Sequence, residues 1–331
     1  MNATKLLIII GLLLFKYSTS QNHFLLLESN NPKNTDIARV FAPNILSTDL
    51  NDCKLTINNK GDELVYSITS PPYKFSVLLS MRFDGNQWSN PYVLPFSGLF
   101  KDSDPYLSPN GAYLFFSSNR PIKGNSPNKD FNIWYSKKEN DVWTEPKPLD
   151  EIINTTNYEY CPAVANNGNL YFCSDKPSGI GDSDIYFSEL KNGVYSEPRC
   201  LPEPINSKQS EESPYIAPDE SFIIYKSYRE EDFGNGDIYI SYKDPSKGWT
   251  NPLNLGEKVN SKNFDSSPFM SSNFEYLFFV SNRIEPYDMP ENALKSTQDV
   301  YNFLRSYNNG RTNIYIVKTA HVEVLKTLKS K

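Results

Sequence analysis

The chain has 331 residues, a formal net charge of −6, 38% hydrophobic and 14% aromatic side chains, four cysteines and two histidines. Its acidic balance lacks the basic footprint of a nucleic-acid binder, and its length allows a large core in one big domain or two smaller ones. Both histidines, His23 and His321, fall in the terminal segments, which disfavours a Ser-His-Asp site, a Cys-His site or a histidine-bound metal in the body.

Lys5 precedes an apolar run over residues 6–15, and Ser18-Thr19-Ser20 supplies small residues before Gln21. That is the shape of a secretory signal peptide over 1–20, with a run too short to span a bilayer comfortably. The first twenty-one residues contain no cysteine for lipid attachment. The leader carries two lysines and no acid, so the remainder stands at −8. It reads as an N-terminal extension over 21–35 and then an exported, soluble body, periplasmic or extracellular, with no later segment apolar enough for a membrane helix.

From residue 36 onward one pattern recurs. The stretch "SDPYLSPNGAYLFFSSNRP", residues 103–121, returns around Pro162, Pro214 and Pro268, at intervals of 57, 52 and 54 residues from Pro105, and a degenerate copy has Leu55 in the proline's place. After each alignment position come a short strand, a turn, an aromatic strand ("ELVYS", "YLFFS", "LYFCS", "FIIYK", "YLFFV") and a third strand ("SVLLS", "NIWYS", "DIYFS", "DIYIS", "NIYIV"). A fourth carries an aromatic residue, a proline and a leucine ("WSNPYVL", "WTEPKPL", "YSEPRCL", "WTNPLNL"). Self-similarity at this period, with four short antiparallel strands per unit, predicts an all-β chain folded as a β-propeller. The last repeat lacks its fourth strand, while "FAPNIL", residues 41–46, offers one at the start. A strand within 38–47 is therefore expected to close a single domain over 36–331 as a ring of five blades. If the tail, Val322 to Leu328, forms its own strand, the count is six.

Gly61, Gly111 and Gly168 stand where the first hairpin turn favours positive φ. Glu220 and Phe274 occupy that place in the last two repeats, which predicts turns of another shape there. Cys161 and Cys173 flank one predicted hairpin and are the likeliest disulfide pair. Buried free thiols are equally expected of Cys53, Cys161, Cys173 and Cys200, whose spacing matches no zinc site. In the last repeat "PENALKSTQDVYNFLRSYNNG" predicts a helix between Pro290 and Asn309-Gly310, within an insertion over 284–311, with Leu294, Tyr301 and Leu304 on one face. It reads as a lid or docking element, or as a plain surface insertion.

"DPYLSPNGAYLFFSSNR" followed by "NIW" or "DIY" resembles the repeat of TolB-like β-propellers, the WD-repeat-like units of many exported bacterial proteins, over about residues 36–318. The resemblance implies an interaction platform and leaves the ligand open.

Three residues before each alignment position stands an acid: Asp52, Asp102, Glu159, Glu211 and Asp265. Fifteen residues after it, or fourteen in the third repeat, stand Arg120, Lys176, Arg229 and Arg283, with Ser70 in the first repeat. Alternating strand direction places both sets on one rim. They are expected either to pair and hold the ring together or to form an acidic ligand-binding funnel, in which Asp52 lacks the regular cation unless Arg82 reaches it. Asp175, Asp182 and Asp184 do not follow the spacing of a twelve-residue calcium loop, and no cofactor motif is present. Two functions fit. The first is a non-enzymatic propeller binding a protein or cell-envelope component. The alternative is a carbohydrate-active propeller that binds an oligosaccharide or cleaves it with channel carboxylates, aided by Tyr106, Tyr158, Tyr160, Tyr215 and Phe264.

Overall fold

The computed structural model describes residues 22–28, 37–123, 128–284, 293–305 and 309–328. The leader read at 1–20 lies outside them, as do 29–36 of the N-terminal region and 285–292 and 306–308 of the last-repeat insertion.

Five antiparallel blades are built in chain order, each from the channel outward. Blade 1 comprises Asn51–Ile57, Glu63–Thr69, Ser76–Arg82 and Tyr92–Val93. Blade 2 comprises Asp102–Leu107, Tyr113–Ser118, Asn132–Glu139 and Lys147–Pro148. Blade 3 has Glu159–Val164, Leu170–Ser174, Asp184–Ser188 and Arg199–Cys200. Blade 4 has Glu211–Ile216, Phe222–Ser227, Asp237–Asp244 and Leu253–Asn254. Blade 5 takes Asp265–Met270, Tyr276–Ser281 and Asn313–Lys318 from the end of the chain and Arg39–Val40 from its beginning, with Arg39 opposite Ile316 and Val40 opposite Tyr315. Each innermost strand lies against those of its two neighbours, and blade 5 meets blade 1. The tail adds no strand to a sixth blade: Thr319–His321 and Glu323–Leu325 form 3-10 turns that bury Val322 and Leu325.

The register of every innermost strand slips by one residue at the alignment position, as between Ser103 and Tyr106 or Glu212 and Tyr215. A bulge on a strand with one free edge is where a proline without an N–H is tolerated. The residue before each proline is left-handed: Asp104, Cys161, Ser213 and Ser267 have φ between 51° and 53°.

Two expectations are corrected. The hairpin turns of blades 4 and 5 share the shape of the others. Glu220 and Phe274 both have φ of 58°, and their N–H groups close the same turn on Ala217 and Ser271 that Gly111 closes on Ser108. The left-handed conformation costs about 1–2 kcal/mol in a residue with a Cβ. Here the side chains offset it: Glu220 accepts from Asn167, Asn169 and Tyr171 of blade 3, and Phe274 packs edge-on against Phe222 at 5.3 Å. The aromatic residue of the fourth-strand pattern is not in the fourth strand. Trp143 pairs with Lys138 in a hairpin that extends the third strand, and the outer strand is only Lys147–Pro148.

The helix of the last repeat spans Thr297–Leu304, and Pro290, where it was expected to open, lies outside the described residues. Ser296 caps it by accepting from the Asp299 N–H, while the Asp299 carboxylate accepts from the Ser296 N–H, a capping box that sets the first turn. Leu294 precedes the helix, and Tyr301 is exposed, with the Arg305 guanidinium over its ring at 5.2 Å.

Trp143 is buried in a core cluster with Phe116 and Trp134, whereas Trp249 is half-buried. Trp143→Ala is expected to cost about 3–5 kcal/mol in denaturant unfolding and Trp249→Ala distinctly less. Equal losses would refute this division of the hairpins.

Candidate functional site

All five repeated carboxylates stand at the first or second residue of an innermost strand, and all five are fully buried. Four take both a backbone and a hydroxyl hydrogen bond from the residue four positions earlier: Asp52 from Thr48, Glu159 from Thr155, Glu211 from Ser207 and Asp265 from Ser261. Asp102 accepts from Ser97 and Ser118 at 2.7 Å each. This serine or threonine stands four residues before the acid in four of the five repeats, outside the positions that define the repeat pattern. The residue ahead of it is a second staple. The buried amides of Asn154, Asn206 and Asn260 bond both the N–H and the C=O of Ile133, Ile185 and Ile238 in the preceding blade's third strand.

The repeated cations return to the acid of their own blade. Arg120 meets Asp102 at 2.7 Å and Arg283 meets Asp265 at 2.6 Å, while Lys176–Glu159 and Arg229–Glu211 stand at 3.8 Å. Arg120 is buried among the rings of Phe96, Phe100, Phe116 and Trp134, all within 5.8 Å. Among the described residues Asp52 has no cation within ion-pair distance. Arg82 does not reach it, because the register places Arg82 opposite Glu63, whereas Asp52 faces Ile68. Arg82 instead pairs with Glu63 at 3.2 Å and Asp141 at 3.0 Å. Burial pushes the Asp52 carboxyl up to about 7 against the opposing bonds from Thr48. Burial also raises Glu159 and Glu211.

At the same end of the innermost strands the channel widens into a cavity of about 570 Å³. Its walls carry the rings of Tyr73, Phe131, Tyr158, Tyr160, Tyr228 and Phe264 and the carboxylates of Asp104, Asp175, Asp182 and Glu212. Of the aromatic residues expected near the channel, Tyr158, Tyr160 and Phe264 line it, while Tyr106 and Tyr215 are buried in the core. The bulge residues Asp104, Cys161, Ser213 and Ser267 also line it, turned by their left-handed backbone. Cys161 Sγ lies 3.5 Å from Ser213 Oγ, which lies 3.3 Å from Ser266 Oγ, so neighbouring blades 3, 4 and 5 meet here side by side. Blade 1 contributes Lys54 at this register; it is buried, and its ammonium has no hydrogen-bond partner among the described residues. Lys226, also buried, meets Glu212 at 3.4 Å and sits 4.1 Å from the ring centres of Tyr228 and Phe264.

The four cysteines are free, Cys161 and Cys173 included. Asp184 accepts from the N–H groups of Ile180 and Gly181 as a turn residue, and Asp175 accepts from the Tyr158 N–H. Among the described residues no three His, Cys, Asp or Glu side chains converge as a metal site, and no helix is long and apolar enough to cross a membrane.

No family model matches the sequence, and no curated protein is similar to it. Solved structures similar in fold include an α-L-arabinofuranosidase from Lactobacillus brevis, at 12% identity and a TM-score of 0.53, over 83% of this chain and 92% of that one. They also include TolB from Acinetobacter baumannii, at 13% identity and a TM-score of 0.45, over 81% of this chain. This chain spans about half of that TolB's length, 54%. At such identities the likeness is one of fold: a β-propeller.

The raised Asp52 carboxyl gives a signed expectation. Its folded value lies above its unfolded one, so its contribution is complete below about pH 4 and is lost as pH rises through about 7, at up to about 1.4 kcal/mol per pH unit. Asp52→Asn should therefore match the wild type near pH 4 and exceed it in thermal unfolding near pH 8. A difference that does not change with pH would show that this carboxyl does not titrate in that window.

Proposed function

We propose that this is a non-enzymatic binding propeller, exported to the periplasm or the cell exterior, that takes a cationic group of a protein or cell-envelope component into its channel mouth. The observation that carries this reading is the mouth itself. Six aromatic rings and four carboxylates line one cavity, and its buried Lys226 is already engaged by Glu212 and two rings. Ring faces and carboxylates attract the same ligand charge. The register also supports it. The acids that repeat in every blade are withdrawn into the scaffold, whereas the bulge register carries a different side chain in most blades. Ligand specificity needs differences, and a ring of identical contacts supplies none.

Export is supported by the charged, apolar and small-residue pattern of residues 1–20. The carbohydrate reading has less behind it. A glycosidase needs one carboxyl held protonated beside its substrate. Of the carboxyls that burial raises, Asp52, Glu159 and Glu211 have no exposed surface, and the half-buried Asp232 is engaged by the Tyr239 hydroxyl and the Arg229 N–H and does not line the channel cavity.

Titration calorimetry with an oligolysine peptide is expected to show binding that weakens with added salt and falls about tenfold in Asp104→Asn, the loss of one charged contact. Unchanged affinity in Asp104→Asn would move the site elsewhere. Release of reducing sugar from an oligosaccharide panel would replace this reading with the carbohydrate one.

A further inference from the structure

On the face away from the mouth, each pair of neighbouring blades leaves a groove beside the first hairpin turns, and the five grooves differ in what fills them. Between blades 1 and 2 it is crossed by charge: Arg82 pairs with Asp141, and Lys138 with Glu63. Between blades 3 and 4, Glu220 bridges to Asn167, Asn169 and Tyr171. Between blades 4 and 5, Phe274 packs on Phe222, and Tyr242 donates to the Val324 carbonyl of the tail at 2.7 Å.

The groove between blades 5 and 1 holds a segment of the chain itself. In the 3-10 helix His23–Glu28, Phe24 is buried against Tyr276 at 5.6 Å, Phe278 at 5.1 Å and Phe41 at 6.2 Å. His23 stacks on Phe83 at 4.5 Å, and the Trp88 indole N–H donates to the His23 carbonyl at 2.9 Å.

The groove between blades 2 and 3 repeats those walls. Tyr113 and Phe115 occupy the registers of Tyr276 and Phe278: Tyr113 faces Lys137 as Tyr276 faces Lys318, and Phe115 faces Tyr135 as Phe278 faces Ile316. Across from them the pair Leu190 and Tyr195 stands where blade 1 has Phe83 and Trp88. Among the described residues no segment enters it, and it forms a cavity of about 430 Å³, within the range of binding pockets. Leu190 lies against the backbone of Gly168, where a Cβ would meet its Cδ2 at 2.5 Å, so the glycine is what lets this wall residue take its place.

We propose that this groove is a docking site for a short segment of another protein that inserts an aromatic side chain flanked by leucines, as Phe24, Leu25 and Leu27 do between blades 5 and 1, with Leu26 left exposed. The same walls select the same ligand, because buried aromatic area against aromatic area is the main contact in both. The inference is independent of the channel mouth.

The chain's own segment supplies the probe: a labelled peptide of residues 22–28, Asn-His-Phe-Leu-Leu-Leu-Glu, followed by fluorescence anisotropy on the full chain. The expected result is saturable binding that falls at least about tenfold when the peptide's phenylalanine is replaced by alanine. It should fall by a similar factor in Leu190→Lys, a residue the fold already accepts at this register in Lys138 and Lys243. Circular dichroism confirms that the variant is folded. Phe24→Ala, which removes the buried ring from the home groove, separates the two sites. Binding that strengthens in Phe24→Ala and is untouched by Leu190→Lys would place the peptide between blades 5 and 1 and overturn the proposal. Absence of binding to the wild type up to millimolar peptide would overturn it as well.

Discussion

The ring depends on a carboxylate placed, out of water, at the entry of each innermost strand. A buried carboxylate is costly unless its oxygens are satisfied, and here the hydroxyl and backbone N–H four residues back do most of that. The bonded pairs Thr155–Glu159, Ser207–Glu211 and Ser261–Asp265 lie in the link from one blade's outer strand to the next blade's inner strand. The asparagine ahead of each serine or threonine clamps the same link to the preceding blade. The stapled segment therefore sets how one blade follows another. The cation from the second strand adds charge compensation in four blades; blade 1 does without it, and there burial pushes the Asp52 carboxyl up against only the bonds from Thr48.

Two residues along the same strands the chemistry changes. The acid register is nearly invariant and invisible from outside, and the bulge register is varied and turned into the channel. The left-handed backbone at Asp104, Cys161, Ser213 and Ser267 is a recurring strain of about 1–3 kcal/mol each, held by flanking strand pairs. Its result is that side chains of several blades meet in one cavity. The scaffold is thus written by repetition and the candidate site by departures from it, within three residues of each other.

The opposite face follows a similar logic. Blades present equivalent walls, and the sequence of each decides whether the groove between them closes by ion pairs, by a carboxylate bridge or by a segment from a chain end. Both chain ends are used in this way. Residues 23–28 fill one groove and residues 322–325 cover another, so the closure of the ring by Arg39–Val40 is backed by packing on both sides.

The blade count, the recurring prolines and the repeated positions of acid and cation were legible in the sequence, because repetition at a fixed spacing survives divergence; that each proline marks a bulge was not. Local chemistry alone also carried the bond between an acid and the hydroxyl four residues before it, although the pattern is plain only once the bond is seen. Other features were not local. Glu220 and Phe274 adopt a glycine's conformation because partners in other blades or turns hold them, and a turn read by itself has no access to those partners. Arg82 pairs with Glu63 because strand register sets which end of a strand it occupies. The aromatic of "WTEPKPL" sits in a hairpin because the outer strand needs only two residues to finish the sheet. The sequence by itself determined five copies of a blade and the places of the acid and the cation in them. Tertiary structure alone decided which side chains of different blades share a cavity, because the repeat gives equivalent positions in each blade, and only ring closure and the left-handed bulge turn particular ones of them toward one another.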